Sequence, residues 1–189
     1  MNYSITKEGK PLDKSLYSID EKTKTFSSRE DNLVLDFSSE YGWTFKTGIG
    51  CTFSTGYGCT FNTGGGCTFK TSRGCTFNTE EGCTFNTGYG CTFHTGGGCT
   101  FDTDSDCTFY TRGSCIFKTR HSCIFKTGWD CTFNTWNRCT FSIYNNFTKL
   151  ETKGNSMVLI RDKKQHAYLE DEITLYYEGG GILYMELKK

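Results

Sequence analysis

The residues of this chain with the most chemistry open to them are its twelve cysteines, and all of them stand in one series. They recur every eight residues from Cys51 to Cys139, with none outside the series. Three kinds of chemistry compete for them. Disulfides are the first, because the number is even. Stacked neighbours in one sheet, however, would have near-parallel Cβ vectors about 4.8 Å apart, whereas a relaxed bridge wants Cβ atoms at about 3.5–4.5 Å. Metal binding is the second. It asks for short-spaced ligand pairs such as C-x-x-C, and none occurs. The third is packing: a buried free thiol acts as a small hydrophobe. Trp43 and Leu35, read as earlier occupants of the cysteine slot, favour packing, since neither can bridge or ligate. Free thiols in turn imply synthesis and folding in a reducing cytoplasm.

Other groups disperse. Asp102, Asp104 and Asp106 form a D-x-D-x-D run, but position six of a calcium loop needs Gly and here holds Cys107. His94, His121 and His166 share no spacing. Asp102 is the only acid in the outward strand positions of the cysteine octads, so the carboxylate pair of a glycan-cleaving site is not expected there. No catalytic residue, cofactor site or metal site is therefore expected, and the chain reads as non-enzymatic. One patch stands out. Arg112, Lys118, Arg120, Lys126 and Arg138, with Trp129 and Trp136, concentrate positive charge and indole rings late in the repeat. They form a candidate surface for an anionic partner, a protein or a glycan.

These groups are positioned by an eight-residue unit, Cys-Thr-Phe-x-Thr followed by three turn residues. Within the strand, Cys, Phe and the second Thr point to one face, and the first Thr and the variable residue to the other. The uniform set suits a stacked core and the variable set suits solvent. Triplets such as Gly-Tyr-Gly and Glu-Glu-Gly supply turns. One octad per coil would leave a loop about 8 Å wide, too narrow for a phenyl ring at ~3.3 Å per residue. Two octads put opposed sheets about 10 Å apart, the normal packing distance. The expected fold is all-β: a two-sided β-solenoid of sixteen-residue coils over residues 35–146, about seven coils in all, with small β caps. Opposed strands run in opposite directions, so Phe should meet Phe, and each Cys the second Thr across the core.

Residues 1–34 read as short capping strands. Residues 147–189 read as a three-stranded meander (Met157–Arg161, Ile173–Tyr177, Ile182–Leu187) over the open end, with Tyr176, Tyr177 and Tyr184 as candidates for assembly. Lys plus Arg equals Asp plus Glu, at 21 each, so no net field draws the chain to nucleic acid or anionic membrane. No apolar run reaches the roughly 20 residues that span a bilayer, and the first residues lack the apolar core of a secretory signal. Scarce Ala beside plentiful Asn, Lys, Ile and Tyr suggests an AT-rich genome.

The unit Cys59-Thr60-Phe61-Asn62-Thr63-Gly64 resembles octapeptide-repeat proteins of phages, large viruses and some bacteria, over residues 43–146. The resemblance implies a structural role in a virion or appendage, with self-association or contact with other structural proteins. The outward Thr column (Thr44, Thr52, Thr60, Thr68 and onward) also resembles the ice-binding face of insect antifreeze proteins. Those carry two Thr columns; here the second is mixed, and Ile116 and Ile124 interrupt the first. Two functions follow as expectations. One is a rigid structural or assembly module. The alternative is a binding module using a solenoid face or the basic, tryptophan-bearing turns.

Overall fold

Each octad folds as a short strand and a turn. The β-branched and aromatic Thr-Phe-x-Thr segment favours extended backbone, and the next residues leave it through a left-handed conformation. The computed structural model describes residues 2–143 and the strands Lys149–Thr152, Ser156–Ile160, Gln165–Leu169, Ile173–Glu178 and Ile182–Leu187; side chains are described for residues 2–142, 150–152 and 156–158.

Successive strands alternate between two sheets, so the chain is a two-sided β-solenoid with sixteen residues per coil. Sheet 1 holds Thr52–Thr55, Thr68–Thr71, Thr84–Thr87, Thr100–Thr103, Ile116–Lys118 and Thr132–Asn134 in parallel register. Sheet 2 holds Thr44–Thr47, Thr60–Thr63, Thr76–Asn78, Thr92–Thr95, Thr108–Thr111, Ile124–Lys126 and Thr140–Ile143. Like residues stack on like: Phe77 pairs with Phe93 and Thr76 with Thr92.

The core is a double column of phenylalanines. Phe93 stacks on Phe77 and Phe109 in its own sheet at 4.8 Å and 3°. It meets Phe85 and Phe101 of the opposite sheet edge-on, at 5.1 and 5.2 Å. The stacking distance is that of neighbouring strands, so the backbone ladder sets the ring spacing and the offset stack comes with it. Phe meets Phe across the core, as the opposed strand directions require. The second Thr of the preceding octad faces each Cys, as with Thr63 and Cys67, or Thr95 and Cys99.

Parallel pairing extends beyond 35–146. It begins at Thr25–Ser28, which pairs with Thr44–Thr47, and ends at Ser156–Ile160, which pairs with Thr140–Ile143. About eight coils result, where seven were expected. At the start the register differs from the sequence reading. Leu35 stands beside Phe53 and Phe37 beside Thr55, so Leu33, not Leu35, heads the cysteine column of sheet 1. The longer turn after Phe37 absorbs two extra residues. A two-residue shift leaves every side chain on its original face, so the alternation pattern cannot reveal it. Trp43 does occupy the cysteine slot of sheet 2, with its carbonyl accepting from Thr60 N at 2.8 Å as Cys59 accepts from Thr76 N.

The ends continue the two sheets with antiparallel strands. Ser4–Lys7 pairs with Leu33–Phe37 and with Lys10–Pro11; Tyr17–Asp20 pairs with Thr25–Ser28. Tyr3 stacks on Phe37 at 4.8 Å and covers the end of the column in which Phe37 stands beside Thr55. At the other end the expected three-strand meander is instead split, with Ser156–Ile160 a parallel solenoid strand, one antiparallel strand added to sheet 2 and two to sheet 1. Gln165–Leu169 joins sheet 2 beside Ser156–Ile160, and Ile173–Glu178 with Ile182–Leu187 joins sheet 1 beside Lys149–Thr152. The side chains of Tyr176, Tyr177 and Tyr184 lie outside those described.

The last residue of each octad is left-handed. Gly fills it from Gly42 to Gly98, whereas Asp106, Ser114, Ser122, Asp130 and Arg138 fill it afterwards at φ of 54–60°. A residue with a Cβ is strained there, Asp least. Replacing Ser114, Ser122 or Arg138 by Gly is expected to stabilise the protein by about 0.5–1 kcal/mol each, after the entropic cost of Gly. Urea unfolding of the single and triple variants checks this. A loss of stability in all three would show that these turns are relaxed.

Candidate functional site

The cysteines, first in chemical promise, form two buried columns, and all twelve are free. Each sulfur is enclosed by turn carbonyls. The Cys91 thiol lies 3.5 Å from Gly88 O, 3.7 Å from Ser72 O and 3.8 Å from Tyr89 O. Next to each sulfur stands the thiol one rung along. That neighbour, with burial adding to it, pushes Cys91 and Cys115 up to about 11 and Cys107 up to about 12. Ten of the thiols are raised. Cys131 and Cys139, the last in each column, are lowered by the hydrogen bond from Cys115 and Cys123 respectively. A protonated, enclosed thiol is a poor nucleophile.

The seven residues of the predicted basic patch do not share one surface. Lys118 points outward from sheet 1, 3.5 Å from Asp102. Lys126 points outward from sheet 2, its Nζ 5.2 Å from the Tyr110 ring. Arg120, Trp136 and Arg138 lie at the corner that follows sheet 1. There Arg120 reaches Asp104 at 3.5 Å and the Trp136 ring at 5.8 Å. Arg112 and Trp129 lie at the other corner. Sixteen residues per coil spread late positions around the whole coil, and outward acids pair with two of the bases. Asp102 and Asp104 are thus ion-pair partners of different bases, and Asp106 is a turn residue. His94 stacks on Tyr110 at 4.7 Å on the outer face of sheet 2, and His121 lies at a corner. His166 lies outside the described side chains.

The first-Thr column differs between faces. On sheet 1 Thr52, Thr68, Thr84 and Thr100 are exposed, while Thr60, Thr76 and Thr92 on sheet 2 are half-buried. Ile116 and Ile124, 53% and 41% exposed, interrupt the hydroxyl runs before Thr132 and Thr140.

Two features were missed in the sequence. One is a ladder along the corner after sheet 1: Lys24 over Tyr41, Tyr41 stacked on Tyr57 at 5.0 Å, and Arg73 between Tyr57 and Tyr89. Its signal was present, since mid-turn residues 41, 57, 73 and 89 are sixteen apart. The other is an open trough along the corner after sheet 2. Two adjoining hollows of about 470 and 440 Å³ share Glu81 and Arg112. One also takes in Glu80, His94 and Tyr110, and the other Gly97, Gly113 and Trp129. Comparison with protein-family models, with curated proteins and with solved structures finds no match to this chain.

Proposed function

We propose that this protein is a non-enzymatic structural module, a stiff rod that assembles end to end. The observation that carries this reading is the unbroken ring column from Phe45 to Phe141, every ring of it fully or almost fully buried. A column in which each ring is held by its neighbours resists bending, and about eight coils at ~4.8 Å make a rod roughly 40 Å long. The ends support a direction of assembly. At the first end the outer strand of sheet 1 is only Lys10–Pro11, and a short edge with Lys and Pro discourages pairing. At the last end the outer strand is the six-residue Ile182–Leu187, of sequence ILYMEL, and among the described residues nothing pairs with its outer edge. An apolar edge of that length is a template for strand addition. The resemblance to repeat proteins of phages and large viruses fits a virion or filament setting.

Sedimentation velocity with negative-stain electron microscopy tests the reading. Rods whose lengths are multiples of one unit, growing with concentration, are expected. Compact monomers at every concentration up to about 100 µM would overturn it.

A further inference from the structure

The trough at the corner after sheet 2 arises from which residues occupy consecutive mid-turn positions. Backbone bonds from Gly66 N to Glu81 O, Gly82 N to Gly97 O, Gly98 N to Gly113 O and Ser114 N to Trp129 O place Glu81, Gly97, Gly113 and Trp129 on successive rungs. The two glycines carry no side chain between a carboxylate and an indole, and the indole lies over the nearer of them, Gly113. The gap from Glu81 to Trp129 is therefore three rungs, roughly 14 Å. The glycines are required by packing as well: a Cβ on Gly97 would lie 2.8 Å from Gly113 O. A Cβ on Gly113 would lie 3.0 Å from Trp129 Cδ1 and Nε1, so the indole rests against that glycine at the end of the trough. Trp129 is nevertheless 54% exposed. Arg112 and Glu80 stand at the sides, with the stacked His94–Tyr110 pair beyond them.

We propose that this trough binds a neutral oligosaccharide lying along the solenoid axis. A pyranose ring has an apolar face of C–H groups and a rim of hydroxyls. Exposed indole offers an apolar platform for the first. A carboxylate accepts from two hydroxyls, and a guanidinium fork donates to two oxygens. Glu81 at one end and Arg112 at the side supply one of each, and both line both hollows. Charge of both signs in one trough disfavours a polyanion and a polycation alike, because each would meet a like charge. A small zwitterion would satisfy the charges and leave Trp129 unused. Two adjoining hollows running from the His94–Tyr110 pair to Trp129 suit a chain of sugar units rather than a single ring.

The inference is independent of end-to-end assembly, and a monomer would bind as well as a rod. Tryptophan fluorescence of the full chain is titrated with cellopentaose, chitopentaose, maltopentaose and mannopentaose, and with a dextran sulfate oligomer as the anionic control. All titrations are made in the wild type and in Trp136→Ala, which removes the other exposed indole; Trp43 is buried. At least one neutral oligosaccharide is expected to give a saturable change with Kd below about 1 mM. Trp136→Ala should keep that affinity. Arg112→Gln and Glu81→Gln should weaken it about tenfold or more, and Trp129→Ala should abolish it, as read by calorimetry. Far-UV circular dichroism establishes that the variants are folded. No saturable response to any of the four at about 10 mM, a response to dextran sulfate alone, or equal affinity in Arg112→Gln and Glu81→Gln would overturn the proposal.

Discussion

Raising the pH above about 9 is expected to unfold this protein cooperatively, with a midpoint between about pH 9 and 10.5. An unfolded thiol ionises near 8.5. In the folded protein ten thiols are held higher, several of them at about 11–12, by their neighbouring thiols and by burial. Above pH ~8.5 the unfolded chain therefore binds fewer protons than the folded one, so stability falls as pH rises. The stabilising contribution is fully present below the unfolded value and is lost progressively towards the folded values. Each such thiol costs up to about 1.4 kcal/mol per pH unit. Several such thiols together remove several kcal/mol per unit, a large share of the roughly 5–15 kcal/mol stability of an ordinary domain. Cys131 and Cys139, shifted the other way, offset only a small part of this. Circular dichroism across pH 7–11 under reducing conditions reads the transition. A protein still folded at pH 11 would show that the thiolates find solvation in the native state.

Phe93→Ala is expected to cost about 3–5 kcal/mol, the upper part of the range for a buried aromatic. The ring has no exposed surface and four aromatic neighbours within 5.2 Å. The coil cannot collapse around the cavity, because rung spacing is set by backbone bonds on both sides. In a one-dimensional array the damage also separates the coils on either side, so a second unfolding transition should appear in urea. Phe93→Leu should cost less than about 2 kcal/mol, because most of the volume remains. The protein itself accepts that exchange at its ends, where Leu35 and Leu150 stand in the phenylalanine column. A loss below about 1 kcal/mol for Phe93→Ala would contradict a tightly packed column.

The repeat made the middle of the fold legible because strand, turn and core obey one period. Sixteen residues per coil followed from the width of a phenyl ring, and Phe-to-Phe contact followed from strand direction. The ends were less legible for a physical reason. Leu35 and Phe37 keep the alternation while shifting by two, and Phe26, Leu150 and Val158 continue the Phe column at spacings other than sixteen. Single apolar residues at irregular spacing carry no periodic signal. The basic residues were legible as composition but not as a surface, since Arg112 and Arg120, one octad apart, fall on opposite corners. The trough was hidden because its main constituents, Gly97 and Gly113, are absences of side chain. Its walls become visible only when rungs are set beside one another.

The central claim is that the twelve cysteines are packing and not chemistry. Alkylation with iodoacetamide, counted by intact-mass spectrometry without reductant, tests it directly. Twelve modifications are predicted in denaturant and almost none in the native protein over the same few minutes, since every sulfur is buried. Fewer than about ten in denaturant, or rapid native labelling, would contradict the buried free-thiol columns on which this account of the fold rests.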